Sequence, residues 1–233
     1  MSQVSDFIDS YLMLCNQGSI DQLMNLFTVD ATIEDPIATR FSGDTVRSFY
    51  QSAAAMGVKF SRTGATRMAS HYIAFPLRVQ YPSGASIDAI EIVALGQGGR
   101  IQSVHAYWGP TDDNKVITIE RYIDSLNNRD SNNLSDFFDP SIGIEDPIGS
   151  PPRFGFEGTK QFYGLAATIN LQAELGGVIC CAGNFAAFPL TVLMDNRGQR
   201  MRFEGLDLFE YNDAGRIISG KVFWSGENMT VVG

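Results

Sequence analysis

The stretch Ile142-Gly143-Ile144-Glu145-Asp146-Pro147-Ile148, IGIEDPI, has a near copy 111 residues earlier, ATIEDPI from Ala31 to Ile37. Working outward from this pair, further matches follow in the same order. Tyr11 and Tyr122 each stand 24 residues before the aspartate of their copy, Asp35 and Asp146. SFY ending at Tyr50 returns as QFY ending at Tyr163, and AFPL (Ala74 to Leu77) returns as AFPL (Ala187 to Leu190), both now 113 apart. GRI at Gly99 returns at Gly215, and Trp108 returns as Trp224, both 116 apart. An offset that grows only in steps fits short loop insertions in a duplicated unit. The polar run Thr111-Asp112-Asp113-Asn114 is the natural junction, giving domains 1–113 and 114–233.

Each copy opens with a helical pattern. Phe7, Ile8, Tyr11, Leu12 and Cys15 recur at three-to-four spacing, as do Ile119, Tyr122, Ile123 and Leu126. A second short helix is expected over Ile20–Phe27 and Asn132–Phe138, and a third ending at SFY or QFY. IEDPI reads as a brief strand stopped by proline. Strands follow over Ile73–Tyr81, Ile87–Leu95 and Ile101–Trp108, with counterparts in the second copy. Turns at Gly96–Gly99 and Asn212–Gly215 mark hairpins. Helices first and a curved antiparallel sheet afterwards define an α+β class, here two tandem cone-shaped domains, each with room for a small-molecule pocket.

Composition narrows the function. A net charge of −9 disfavours nucleic acid, whose phosphates need a basic footprint, and anionic membranes. The start, MSQVSDFIDSYLML, lacks the basic region of a signal peptide, and no apolar run is long enough to span a bilayer. The 3 cysteines, Cys15, Cys180 and Cys181, read as buried free thiols of a cytoplasmic protein. The 2 histidines, His71 and His105, lie in separate strands of the first copy, so no metal site is expected. GQGGR (Gly96 to Arg100) has no following helix and reads as a hairpin, not a phosphate loop.

Strand alternation places the polar residues. Asp146 shares a face with Ile142 and Ile144, and Asp35 with Ala31 and Ile33. Asp207 shares a face with Phe203, Phe209 and Tyr211, and Glu91 holds the same place beside Ala89 and Val93. Tyr122 and Tyr11 sit on the apolar faces of the first helices, where a hydroxyl needs a partner. A lone Asp before Pro is ordinarily a turn residue. A Tyr, an Asp and a second acid converging on one apolar interior, twice, point to an acid–base site, because two carboxyls in a dry pocket separate into a base and a neutral acid. Arg78 alternates with Phe75, Leu77, Val79 and Tyr81 and should face outward.

These residues resemble bacterial Δ5-3-ketosteroid isomerases. The likeness lies in Tyr122 to Pro147, in EDPIGSPPR (Glu145 to Arg153) running into QFY, and in DLFEYNDAGRIISGKVFW (Asp207 to Trp224). The wider group is the SnoaL-like, nuclear-transport-factor-2-like cone, which also holds cyclases, dehydratases and epoxide hydrolases. The resemblance implies a cofactor-free isomerase acting on a 3-oxo-Δ5-steroid or similar apolar ketone. Asp146 would be the base that moves the proton, and Tyr122 and a protonated Asp207 would bind the dienolate oxygen. This family is a standard illustration of a carboxylic acid kept neutral by an apolar site. Tyr163 would support Tyr122, and Trp224, as an aromatic wall, and Phe188 would contact substrate. The first copy keeps Tyr11 and Asp35 but has Glu91 for the second Asp and a shorter loop without GSPP, so an altered or degenerate site is expected there. The isomerases are homodimers, so the tandem chain is expected to form a pseudo-dimer within one monomer. The alternatives are a polyketide cyclase, dehydratase or epoxide-opening enzyme of the same fold, or a non-catalytic carrier of apolar ligands.

Overall fold

A computed structural model describes residues 3–129 and 133–232. The chain divides into two compact units, Met1–Gly109 and Pro110–Gly233. Unit 1 runs α1 (Gln3–Gln17), α2 (Ile20–Met24), β1 (Phe27–Glu34), β2 (Arg40–Ser42), α3 (Asp44–Ala55), β3 (Lys59–Arg62), β4 (Arg67–Ala69), β5 (Tyr72–Gln80), β6 (Ser86–Leu95) and β7 (Ile101–Tyr107). Unit 2 runs α4 (Asp113–Asn128), a 3-10 turn (Asn133–Asp136), β8 (Phe138–Glu145), β9 (Arg153–Phe154), α5 (Gly155–Ala166), β10 (Gln172–Leu175), β11 (Cys180–Ala182), β12 (Phe185–Asn196), β13 (Gln199–Tyr211), β14 (Ile217–Phe223) and β15 (Met229–Val231).

The first helices form as their spacing predicts. α1 buries Ile8, Tyr11, Leu12, Leu14 and Cys15, the stripe that faces the unit's core. It stops at Gly18, whose φ of +66° lets its own N–H reach Cys15 O and the N–H of Ser19 reach Leu14 O. Those two bonds satisfy carbonyls that the helix end leaves open. α4 starts on Asp112, whose carboxylate accepts from the N–H groups of Asn114 and Lys115. It ends on Arg129, which takes the left-handed conformation (φ +57°) that Gly18 supplies in unit 1.

Each unit wraps helices on one sheet. The orders are β2-β1-β7-β6-β5-β3 and β9-β8-β14-β13-β12-β10. Pairing is antiparallel except at β1–β7 and β8–β14, which are parallel, so the sheets are mixed and not wholly antiparallel. The parallel pair arises because the first strand is followed by a helix and five other strands before β7 or β14 returns beside it along the same direction.

Three further expectations change. The second helix is short: α2 ends at Met24 and Phe27 already opens β1, where its ring faces the core 4% exposed. In unit 2 that helix is only the 3-10 turn, and Phe138 opens β8; Asn132 lies outside the described residues. The third helices run past SFY and QFY to Ala55 and Ala166, which puts Tyr50 and Tyr163 within a helix, not at its end. The IEDPI strands are also longer than expected, at 8 residues each.

Candidate active site

In unit 2 the site grows from four elements. β8 ends at Glu145, and Asp146 follows on the same face as Ile142 and Ile144, which are buried. The loop after it is tied to the sheet, because Ile148 N–H donates to Val222 O on β14. Two residues past Val222, Trp224 donates its indole N–H to Asp146 Oδ1 at 2.6 Å. Asp207 lies on β13 between Phe188 of β12 and Val222 of β14, 1% exposed. α4 and α5 bring Tyr122 and Tyr163 together, with Tyr163 Oη donating to Tyr122 Oη at 3.2 Å.

Unit 1 repeats this framework. Ile37 N–H donates to Ala106 O, and Trp108 donates to Asp35 Oδ1 at 2.5 Å. Glu91 sits between Phe75 and Ala106, the register that Asp207 holds in unit 2, and is 6% exposed. Tyr11 and Tyr50 pair through their hydroxyls at 2.9 Å, and Tyr11 hydrogen-bonds to Glu91. Asp35, Glu91 and Trp108 line a pocket of ≈ 220 Å³ whose walls include Phe49, Leu77 and Tyr81. Tyr11 and Tyr50 are not among the residues that line it.

Burial sets the proton affinities. It pushes Glu91 up to about 8, helped by the charge of Asp35 and opposed by the Tyr11 hydrogen bond. Near neutral pH this side chain is largely a neutral acid, able to donate. Asp35 and Asp146 are also raised by burial, but each is pulled back by its tryptophan, and Asp146 further by the charge of Arg153. Burial raises Tyr11, Tyr50, Tyr122 and Tyr163, so all four stay protonated donors. An acid held neutral beside an acid that ionises more readily can supply a hydrogen-bond donor and a base side by side.

Of the residues singled out from sequence, Tyr122, Tyr163, Asp146 and Trp224 are linked in pairs by hydrogen bonds, and Asp207 is buried on the neighbouring strand. Phe188 is 0% exposed with its ring 5.2 Å from that of Phe209, deep in the core. Arg78 faces outward and is chelated by Asp88 at 2.8 and 3.2 Å. The indole–carboxylate bond escaped the sequence reading, which gave Trp224 only an apolar role. Its basis is the parallel pairing, since a closing strand running beside β8 carries Trp224 to the end where Asp146 lies. Arg153, on β9, was also missed as a group near Asp146.

Each unit is thus an α+β arrangement of helices on a mixed sheet that buries a tryptophan-bonded carboxylate, a second acid and a tyrosine pair. In comparison with known proteins, residues 119–220 match the SnoaL-like domain family. The chain is 29% identical over 113 residues to the steroid Delta-isomerase of Nocardioides simplex, covering 48% of this chain and 91% of that one. It is 23% identical over 208 residues to the epoxide hydrolase LasB of Streptomyces lasalocidi, covering 79% of this chain and 73% of that one. A solved structure of the epoxide hydrolase/cyclase-like enzyme SalBIII, described in pyran ring formation in the polyether salinomycin, is 24% identical, with a TM-score of 0.48 over 52% of this chain and 98% of its own.

Proposed function

We propose that the chain is a cofactor-independent isomerase that shifts a C=C bond of a 3-oxo-Δ5-steroid or similar apolar ketone. Asp146 takes a proton from the carbon next to the carbonyl, and Tyr122 and a neutral Asp207 donate to the dienolate oxygen. Asp146 then returns the proton two carbons along. The observation that carries the reading is the pairing of a tryptophan-held carboxylate with a second, deeply buried acid beside a tyrosine pair. Similarity to a steroid isomerase supports the substrate class.

A second reading rests on the relative that spans both units, an epoxide hydrolase. The same carboxylate would deprotonate a hydroxyl or water, and the neutral acid would protonate the epoxide oxygen as its C–O bond breaks. We further propose a monomer working in the cytoplasm, a setting that suits the buried free thiols Cys15, Cys180 and Cys181.

The test follows the ultraviolet absorbance of the conjugated ketone formed from a Δ5-3-ketosteroid, with wild type, Asp146→Asn and Asp35→Asn side by side. The expected result is conjugation lost in Asp146→Asn and retained in Asp35→Asn. A folded wild type without turnover overturns the isomerase reading, and turnover of an epoxy alcohol instead would establish the second.

A further inference from the structure

The two sites differ at one wall, and the strand register shows how. In an antiparallel pair, residues opposite each other project on the same side of the sheet. β2 pairs with β1 so that Phe41 lies opposite Ile33 and Arg40 opposite Glu34. β9 pairs with β8 so that Arg153 lies opposite Ile144 and Phe154 opposite Gly143. Ile33 and Ile144 are each 1% exposed and share their faces with Asp35 and Asp146. The dipeptide Arg-Phe is thus shifted by one residue between the units. In unit 1 the phenylalanine faces inward and Arg40 outward, its side chain 64% exposed. In unit 2 the arginine faces inward and Phe154 lies outside, 71% exposed.

The inward partner changes accordingly. Phe41 packs on Phe49 with centroids 5.0 Å apart. Arg153 stacks its guanidinium 4.2 Å from the ring centre of Phe162, the residue one before Tyr163 as Phe49 is one before Tyr50. Arg153 Nη1 is buried and has no hydrogen-bond partner among the described residues. A buried guanidinium N–H without an acceptor is costly, and a planar fork stacked on an aromatic ring is well placed to take a carboxylate. Its charge reaches the site, since it favours the ionised form of Asp146 and of Tyr163.

We propose that Arg153 makes the Asp146 site an anion-accepting one, whose natural substrate carries a carboxylate on its apolar skeleton, while the Asp35 site takes a neutral molecule. The assignment rests on the reading of Asp146 as the substrate site and adds the substrate's charge to it. Arg153 acts here as a specificity residue, by direct contact with the ligand and not with the reacting carbon.

Binding of naphthalene-2-carboxylate and its uncharged analogue naphthalene-2-carboxamide to the full chain at pH 7, measured by calorimetry, tests this. Wild type should bind the carboxylate at least tenfold more tightly than the amide. Arg153→Met should remove that preference and leave amide affinity within about twofold, while Asp146→Asn should not weaken the carboxylate. Should Arg153→Met fail to fold, Arg153→Lys decides: the ammonium keeps the charge but not the fork, and the preference should fall at least threefold. A carboxylate preference that survives in a folded Arg153→Met, or in full in Arg153→Lys, overturns the proposal, as does its absence in wild type. Because the readout is binding, absence of this preference in a wild type that still turns over the steroid would sink the anion site alone. Preference without turnover would sink the isomerase reading alone.

Discussion

Replacing Trp224 with phenylalanine isolates what the indole N–H does. The phenyl ring keeps much of the apolar contact with Phe203, whose centroid lies 5.1 Å from that of Trp224. What disappears is the 2.6 Å hydrogen bond to Asp146 Oδ1. That bond favours the ionised carboxylate, so its loss raises the proton affinity of a group that burial has already pushed upward. A hydrogen bond to a charged group contributes about 1.5–3 kcal/mol. At about 1.4 kcal/mol per pKa unit, the shift should be roughly 1–2 units upward. Titration of the carboxyl ¹³C signals in Asp-labelled protein reads the shift directly and needs no substrate. In turnover, the acid limb of kcat/KM should move to higher pH by the same amount, lowering activity most below neutrality. Trp108→Phe should move Asp35 and leave Asp146 in place. A change in Asp146 smaller than about 0.3 units, or a downward one, would refute the view that the indole holds the carboxylate ionised, since the bond would then contribute less than about 0.4 kcal/mol.

Two further substitutions probe the acid and the core. Glu91 is held at about 8 in the folded chain against an ordinary 4.5, so folding favours its protonated form. Stability from this group is full below the unfolded value and is lost as pH rises from there through 8. Glu91→Gln should remove that decline: urea midpoints at pH 8 should exceed wild type, with little difference at pH 4, and parallel profiles would contradict the buried-acid assignment. Phe188→Ala should cost about 3–5 kcal/mol in urea unfolding, as for a fully buried aromatic ring. A cost under about 1 kcal/mol would instead mark Phe188 as a wall open to ligand.

Side-chain periodicity carried most of the site, and register carried the rest. Ile8, Tyr11 and Cys15 on one helical stripe, and Ile142, Ile144 and Asp146 on one strand face, follow from spacing alone, because the helical and strand periods are local properties. The ends of the second and third helices did not follow. Phe27 and Phe138 fit a helical stripe and a strand equally well, and only the neighbouring β7 and β14 decide for the strand. The same long-range pairing brings Trp108 and Trp224 to the aspartates. A sequence shows that a strand exists, but not which strand it lies beside or in which direction.

Arg153 shows where such a reading fails by a single step. The dipeptide Arg-Phe follows the aspartate in both copies, as Arg40-Phe41 and as Arg153-Phe154. Pairing makes them opposites, because a one-residue slip against β8 exchanges the inner and outer faces. The inner strands are fixed on both edges by the ladder and by buried side chains, so Glu91 and Asp207 keep the same register in the two units. β2 and β9 are edge strands of 3 and 2 residues, paired on one side only in the sheet order, so little opposes a slip there. The longer loop after Asp146 therefore goes with a different residue on the inner face, while the strands that carry the acids keep their register. The acids and tyrosines lie on elements that resist change. Arg153, whose inward place is taken by Phe41 in unit 1, lies on the element that yields most easily.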